Sequence, residues 1–240
     1  IGLRTAATLA LPAKPRLVAI DSAIDRAVIA AGPNAKIVHF VDLATGALLP
    51  ETILAEFGIE ALAVDSTRGL ALAVRKKVDG LLVIDTRNRA VITSIALDAD
   101  YSSLAIHSAR GMAYLGGRQR VTPLDLTTLT LGTPRTVAIH AEALAVDEVL
   151  DVLVATDRPT SSAQVFRLTD FSVRDVFTLP LRPAALAILP DTHVAVIASP
   201  ESDALSTVNL HTGAVQAGFV SVEKPFALAV SQRYNQALVL

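Results

Sequence analysis

The ionisable groups of this chain are 23 Asp and Glu, 21 Lys and Arg, and five histidines, with no cysteine. A thiolate nucleophile, a disulfide and a cysteine-bound zinc are therefore excluded. His39, His107, His140, His193 and His211 show no i, i+2 or i, i+4 pairing and no HExxH spacing. Those are the arrangements that put two imidazoles on one face of a strand or helix. For a hard divalent cation the best oxygen donors are Glu60, Glu142 and Asp100, which would have to converge from separate segments. The chain has no glycine-rich phosphate loop and no Gly-x-Ser-x-Gly nucleophile turn. The basic residues follow a pattern of their own. Lys14, His140, Arg182 and Lys224 fall in one column with Gly58 and Asp100, at successive intervals of 44, 42, 40, 42 and 42 residues. Arg75, Lys76, Lys77, Arg118 and Arg120 recur in segments between them. Such cations suit a carboxylate, a phosphate, a glycan acid or an acidic protein loop.

The column reflects a repeat. The segments Arg16–Asp21, Glu60–Asp65, Ser102–His107, Glu142–Asp147, Ala184–Leu189 and Phe226–Ser231 superpose without gaps on Ala19, Ala63, Ala105, Ala145, Ala187 and Ala229. Every copy has Val or Leu before that Ala and Ile or Val after it. A turn follows, then a second apolar run, a polar loop, a third run ending near Asp42, Asp85 or Asp125, and a fourth run. The runs are short and end at Gly, Asp, Asn or Pro, which is strand punctuation. The abundant Ala and Leu favour helix, but runs of about five to seven residues are too short for stable helices. Four strands at a period near 42 match a propeller blade better than a helical solenoid.

The expected fold is all-β: a propeller of four-stranded antiparallel blades at about 12–53, 54–98, 99–139, 140–181 and 182–222. A composite blade from 223–240 plus 1–11 would make six blades; a further unit beyond Leu240 would make seven. The first run of each copy is expected to be innermost and covered on both faces by its neighbours. The shared Ala then marks either crowding at the axis or tight blade-to-blade packing. Asp42, Asp85 and Asp125, like Asp21, Asp65 and Asp147, are expected to cap turns. The Gly116–Arg120 segment reads as a flexible basic hairpin.

The chain is 52% hydrophobic with a net charge of −2 and a mean hydropathy of +0.49. That composition suits a folded core and excludes a general basic attraction to nucleic acid. No apolar run reaches the roughly 18–20 residues of a bilayer span. The sequence opens on Ile1 without a signal-peptide pattern, and is read as a processed or excised piece of a longer chain.

The units resemble the YVTN family of β-propeller repeats, related to lactonase-like propellers. The best copy runs from Glu60 to Leu97, with Val83-Ile84-Asp85-Thr86-Arg87-Asn88 the clearest piece; Val41–Gly46 and Val208–Gly213 repeat it. The resemblance departs at the second strand, where Ala71-Leu72-Ala73-Val74 replaces the family's Tyr-Val-x-Asn, and at Arg167 in the Asp column. It implies an exported bacterial or archaeal protein of the envelope or surface, used for binding or as a scaffold. Asp42–Gly46 also resembles part of a quinoprotein repeat, but that family's blades carry tryptophan, which this chain lacks; no cofactor is expected. The expected function is recognition of a protein or of a polar or anionic ligand at the loops bearing Lys14, His140, Arg182, Lys224, Arg75, Arg118 and Arg120. The alternative is a metal-dependent hydrolase of the lactonase kind using Glu60, Asp100 and Glu142.

Overall fold

A computed structural model of the chain describes residues 9–76, 80–225, 227–231 and 236–239. These fall into two compact units, Ile1–Tyr101 and Ser102–Leu240. The first unit holds two four-stranded sheets: β1 (Pro15–Asp21), β2 (Arg26–Ala31), β3 (Ile37–Asp42) and β4 (Ala47–Leu54), then β5 (Ile59–Asp65), β6 (Leu70–Arg75), β7 (Leu81–Asp85) and β8 (Ala90–Ile95). The second begins with β9 (Tyr101–His107), β10 (Met112–Asp125), β11 (Thr130–Leu131) and β12 (Arg135–His140). It continues with β13 (Ala143–Asp147), β14 (Val152–Asp157), β15 (Ser162–Arg167) and β16 (Val173–Thr178), and then β17 (Ala185–Leu189), β18 (Val194–Ser199), β19 (Ala204–Asn209) and β20 (Val215–Ser221). A pair, β21 (Leu228–Ser231) and β22 (Gln236–Val239), follows. Residues 1–8 of the N-terminal run lie outside the described residues, and 9–11 carry no strand. Among the described residues no helix is long and apolar enough to cross a membrane.

The register repeats with the sequence. Ala19 stands opposite Val28, Ala63 opposite Leu72, Ala145 opposite Val154, Ala187 opposite Val196 and Ala229 opposite Leu238. Four-residue turns join first to second strands, and the last turn residue has a left-handed backbone: Asp25, Gly69, Gly111, Asp151 and His193, with φ of 48°, 67°, 64°, 56° and 52°. The carbonyl of each accepts the N–H of the residue just past the third strand: Leu43, Thr86, Leu126, Leu168 and Leu210. The first-to-second and third-to-fourth connections of one sheet are thereby tied at a single end.

The Asp columns cap turns as the sequence indicates. Asp42 Oδ1 accepts the N–H of Thr45 at 2.8 Å, Asp85 Oδ1 those of Arg87 and Asn88 at 2.8 Å, and Asp125 Oδ1 those of Thr127 and Thr128 at 2.7 and 2.9 Å. The backbone N–H and then the hydroxyl of Thr45 hold the Asp42 carboxyl below its ordinary range. Where Arg167 replaces the Asp, Asp170 takes over by accepting the N–H of Ser172 at 2.9 Å.

Within each unit consecutive sheets pack face to face. In the first unit Val28, Val38 and Phe40 of one sheet form a buried cluster with Ala71, Leu82 and Ile84 of the next. In the second, alternate residues of β14 serve opposite faces. Leu153 and Ala155 join Tyr114, Val121 and Ile139 on one side, while Val152 and Val154 join Ala195, Ile197 and Val208 on the other. Period-two alternation puts an apolar side chain on both faces of every middle strand.

Two expectations need correction. The first strands are not covered on both faces: Val18 and Ile20 of β1 are 63% and 55% exposed, and all of β17 is half-buried. The second strands are more buried than the first, and β14 is buried throughout. The first strand is the edge of its sheet, with a hydrogen-bonded neighbour on one side only. The Gly116–Arg120 segment forms the expected hairpin, but its residues are strand rather than loop. Gly116 and Gly117 are buried within β10, whose ends are joined by the Leu126 N–H to Gly111 carbonyl bond. β10 therefore folds back on itself as a hairpin, turning near Gln119 (φ 55°).

Candidate functional site

In four of the sheets the loop from second to third strand meets the link from fourth strand to the next first strand at one end. The N–H of Ala55 bonds the carbonyl of Lys36, that of Ala141 bonds Gly117, that of Leu179 bonds Ser161, and that of Val222 bonds Asp203. These are backbone bonds between corresponding positions, so the repeat itself brings the two loop sets together.

Arg182 and Lys224 occupy equivalent places on this end of the second unit. Both have left-handed backbones, with φ of 54° and 45°. Each N–H is held by the preceding loop: Arg182 by Ser161 Oγ at 3.2 Å, Lys224 by Asp203 Oδ1 at 2.8 Å. Both residues are exposed. His140 belongs to the same column, and Arg118 stands directly opposite it in the β10–β12 register. Arg118 is exposed, while His140 is half-buried with Nδ1 3.4 Å from Glu142 Oε1. Arg120 is half-buried opposite Thr136.

Sequence reasoning did not foresee the neutralisation among these charges. Glu201 lies between two guanidinium groups, 3.1 Å from Arg158 and 2.9 Å from Arg182. The cluster keeps one formal positive charge. The Arg158 hydrogen bond and then that of Arg182 hold the Glu201 carboxyl below the ordinary 4.5. A depressed folded-state value means that the contribution is present above the ordinary value and fades as the pH falls through the lowered one. In a carboxyl-detected NMR titration, Glu201 should show a midpoint below 4.5 that moves upward in Arg158→Gln. An unshifted midpoint in both proteins would contradict the pairing.

The remaining candidates lie in the first unit. Lys14 is exposed, and its carbonyl accepts the Gly32 N–H at 2.9 Å. Arg75 Nη2 donates to Ser94 Oγ at 2.8 Å, and Lys76 pairs with Glu60 at 2.7 Å. Lys77 lies outside the described residues. Of the acidic alternative, Glu60 is thus engaged by Lys76, Glu142 faces His140, and Asp100 is exposed at the end of the first unit. Among the described residues no three His, Asp or Glu side chains come together as a metal would need.

A second polar set sits at the opposite strand ends, two residues past the shared Ala. Asp21, Asp65, His107 and Asp147 are all buried. Three of them reach the next sheet: Asp21 Oδ2 accepts the Thr86 hydroxyl at 2.5 Å, Asp147 Oδ2 meets His193 Nδ1 at 2.8 Å, and His107 Nε2 lies 3.4 Å from Asp151 Oδ1. Arg110 pairs with the same Asp151. The polar column inside an otherwise apolar run was the signal for these links.

No protein-family profile matches the chain, and no curated protein sequence matches it. Among solved structures it is similar to the hydrazine synthase of Kuenenia stuttgartiensis, a β-propeller-containing protein. The TM-score is 0.78 at 13% identity, over 99% of this chain and 77% of that one. At that identity the likeness carries the fold alone, and with the repeated four-stranded antiparallel sheets it establishes a β-propeller.

Proposed function

We propose that this chain is a non-enzymatic recognition or scaffold propeller that binds a polar or anionic partner through the loops of the second unit. One observation carries the reading: the repeated loop-to-link hydrogen bonds hold the exposed Arg118, Arg182 and Lys224 at corresponding strand ends. Loops set on a rigid sheet scaffold are where propellers of many functions place their contacts. Cations on a chain of net charge −2 give that end a sign of its own, which steers anionic partners. The repeat residues Val83–Asn88 support membership of the YVTN-type group and, with it, a place outside the cytoplasm of a prokaryote.

The test uses a polyglutamate peptide and, separately, inorganic phosphate as probes. The triple variant Arg118→Ser, Arg182→Ser, Lys224→Ser should weaken binding at least about tenfold and flatten its salt dependence, since charge-assisted contacts are lost. Unchanged affinity with unchanged salt dependence would overturn the reading.

A further inference from the structure

The second unit contains a cavity of about 440 Å³ at the end of the strands opposite those loops. Its apolar wall is one column of the repeat. Ile106, Val146, Ile188 and Val230 each follow a shared Ala, and each comes from the first strand of a consecutive sheet. Their side chains are half-buried and line this space, and Val146 and Ile188 also touch the buried clusters between sheets. The polar wall is acidic: Asp147 at the end of β13, Glu148 from the turn that follows it, and Asp191 from the next such turn.

These carboxylates differ from those at the loop end. Glu201 there is matched by two guanidinium groups, whereas Glu148 is held by neutral donors. Its two oxygens accept the backbone N–H groups of Ser108 and Ala109 at 2.6 and 3.3 Å. Asp147 Oδ1 likewise accepts the N–H groups of Val149 and Leu150 at 3.1 and 3.0 Å. Asp191 is exposed. Two imidazoles approach the set, His193 on Asp147 at 2.8 Å and His107 at 3.8 Å from Glu148. Among the described residues no Lys or Arg lines the cavity. Backbone donors fix a carboxylate in place without cancelling its charge, and a carboxylate oxygen has lone pairs to spare for a second donor.

We propose that this cavity binds a small primary alkylammonium: the apolar chain lies against Ile106, Val146, Ile188 and Val230, and the ammonium donates to Glu148 and Asp191. The volume falls within the usual range of small-molecule pockets, roughly 300–1,000 Å³. An anion would meet three carboxylates. A neutral alkane would bury the apolar wall but leave the acidic one unmatched. A quaternary ammonium lacks N–H donors for the carboxylates and binds less well than the primary amine; among the described residues no aromatic ring lines the cavity to compensate by a cation–π contact.

The experiment titrates n-hexylammonium chloride into the whole chain near pH 7, where an alkylamine is protonated, and follows binding by calorimetry and NMR shifts. Hexanol, hexanoate and a quaternary analogue serve as controls at matched ionic strength. Hexylammonium should bind more tightly than every control. Asp191→Asn, at an exposed position that leaves folding intact, should weaken it several-fold, and Glu148→Gln with Asp191→Asn at least tenfold. The triple Arg and Lys variant at the loop end should leave it unchanged, which separates this site from the proposed recognition face. Absence of hexylammonium binding, equal binding of hexanol or hexanoate, or unchanged affinity in the acidic variants would overturn the proposal. So would binding of a lysine-bearing peptide when the free amine does not bind.

Discussion

Phe166→Ala should destabilise the second unit by about 3–5 kcal/mol, the cost of truncating a fully buried aromatic side chain. Phe166 is 1% exposed on the third strand of its sheet and packs into the cluster formed with Tyr114, Val121, Val137 and Ile139 of the preceding sheet. Removing the ring takes away transfer free energy and leaves a void between two sheets that are each held by their own hydrogen bonds. Such sheets cannot close on the gap without moving as bodies, which puts the cost in the upper part of the range. Val176→Ala is the matched control: it lies on β16 of the same sheet and is 59% exposed. It should change stability by no more than about 0.5 kcal/mol. Urea unfolding would show a large fall in midpoint for the first variant and almost none for the second. Equal midpoints would contradict face-to-face packing of the sheets.

Gly116→Ala should cost about 1–3 kcal/mol through overpacking. A Cβ at this position would lie 2.2 Å from Ser103 Oγ, 2.7 Å from the Ala141 carbonyl oxygen and 2.8 Å from Leu144 Cδ1. Ser103 cannot simply turn away, because its hydroxyl donates to that same Ala141 carbonyl at 2.6 Å. Adding Ser103→Ala should relieve part of the loss, since the two residues share a contact and their effects cannot add independently. Gly46→Asn gives the contrast. Gly46 has φ 70° but nothing within 4 Å of its Cβ position, and Asn tolerates the left-handed region. Thermal unfolding should place Gly46→Asn near the parent and Gly116→Ala well below it. A neutral Gly116→Ala would show that the segment is the loose loop its composition suggests.

Much of the architecture is legible in the residues because the same local chemistry recurs at one period. Ala19, Ala63, Ala145, Ala187 and Ala229 mark one place in the strand register. The caps at Asp42, Asp85 and Asp125 act within three residues of themselves, a distance over which spacing determines contact. Contacts that depend on how sheets dock are not legible. Asp21 meets Thr86 across 65 residues, so its turn-capping role could be read and its inter-sheet bond could not. Ile106 and Ile188 look the same in sequence whether they pack against a sheet or face a cavity. Gly116 looks the same in a mobile loop and in a crowded strand. At the loop end, the column of Arg182 and Lys224 was visible, but the sharing of Glu201 with Arg158 was not, because that carboxylate comes from a different loop.

Methyl-to-methyl nuclear Overhauser effects in the whole, selectively labelled chain test directly whether the repeats stack as sheets. Cross-peaks should join the methyls of Val154 and Val165 to those of Ile197 and Val208, residues from two consecutive sheets that share one buried cluster. Absence of these cross-peaks, or contacts confined to residues three and four apart within each run, would contradict the propeller and both surfaces built on it.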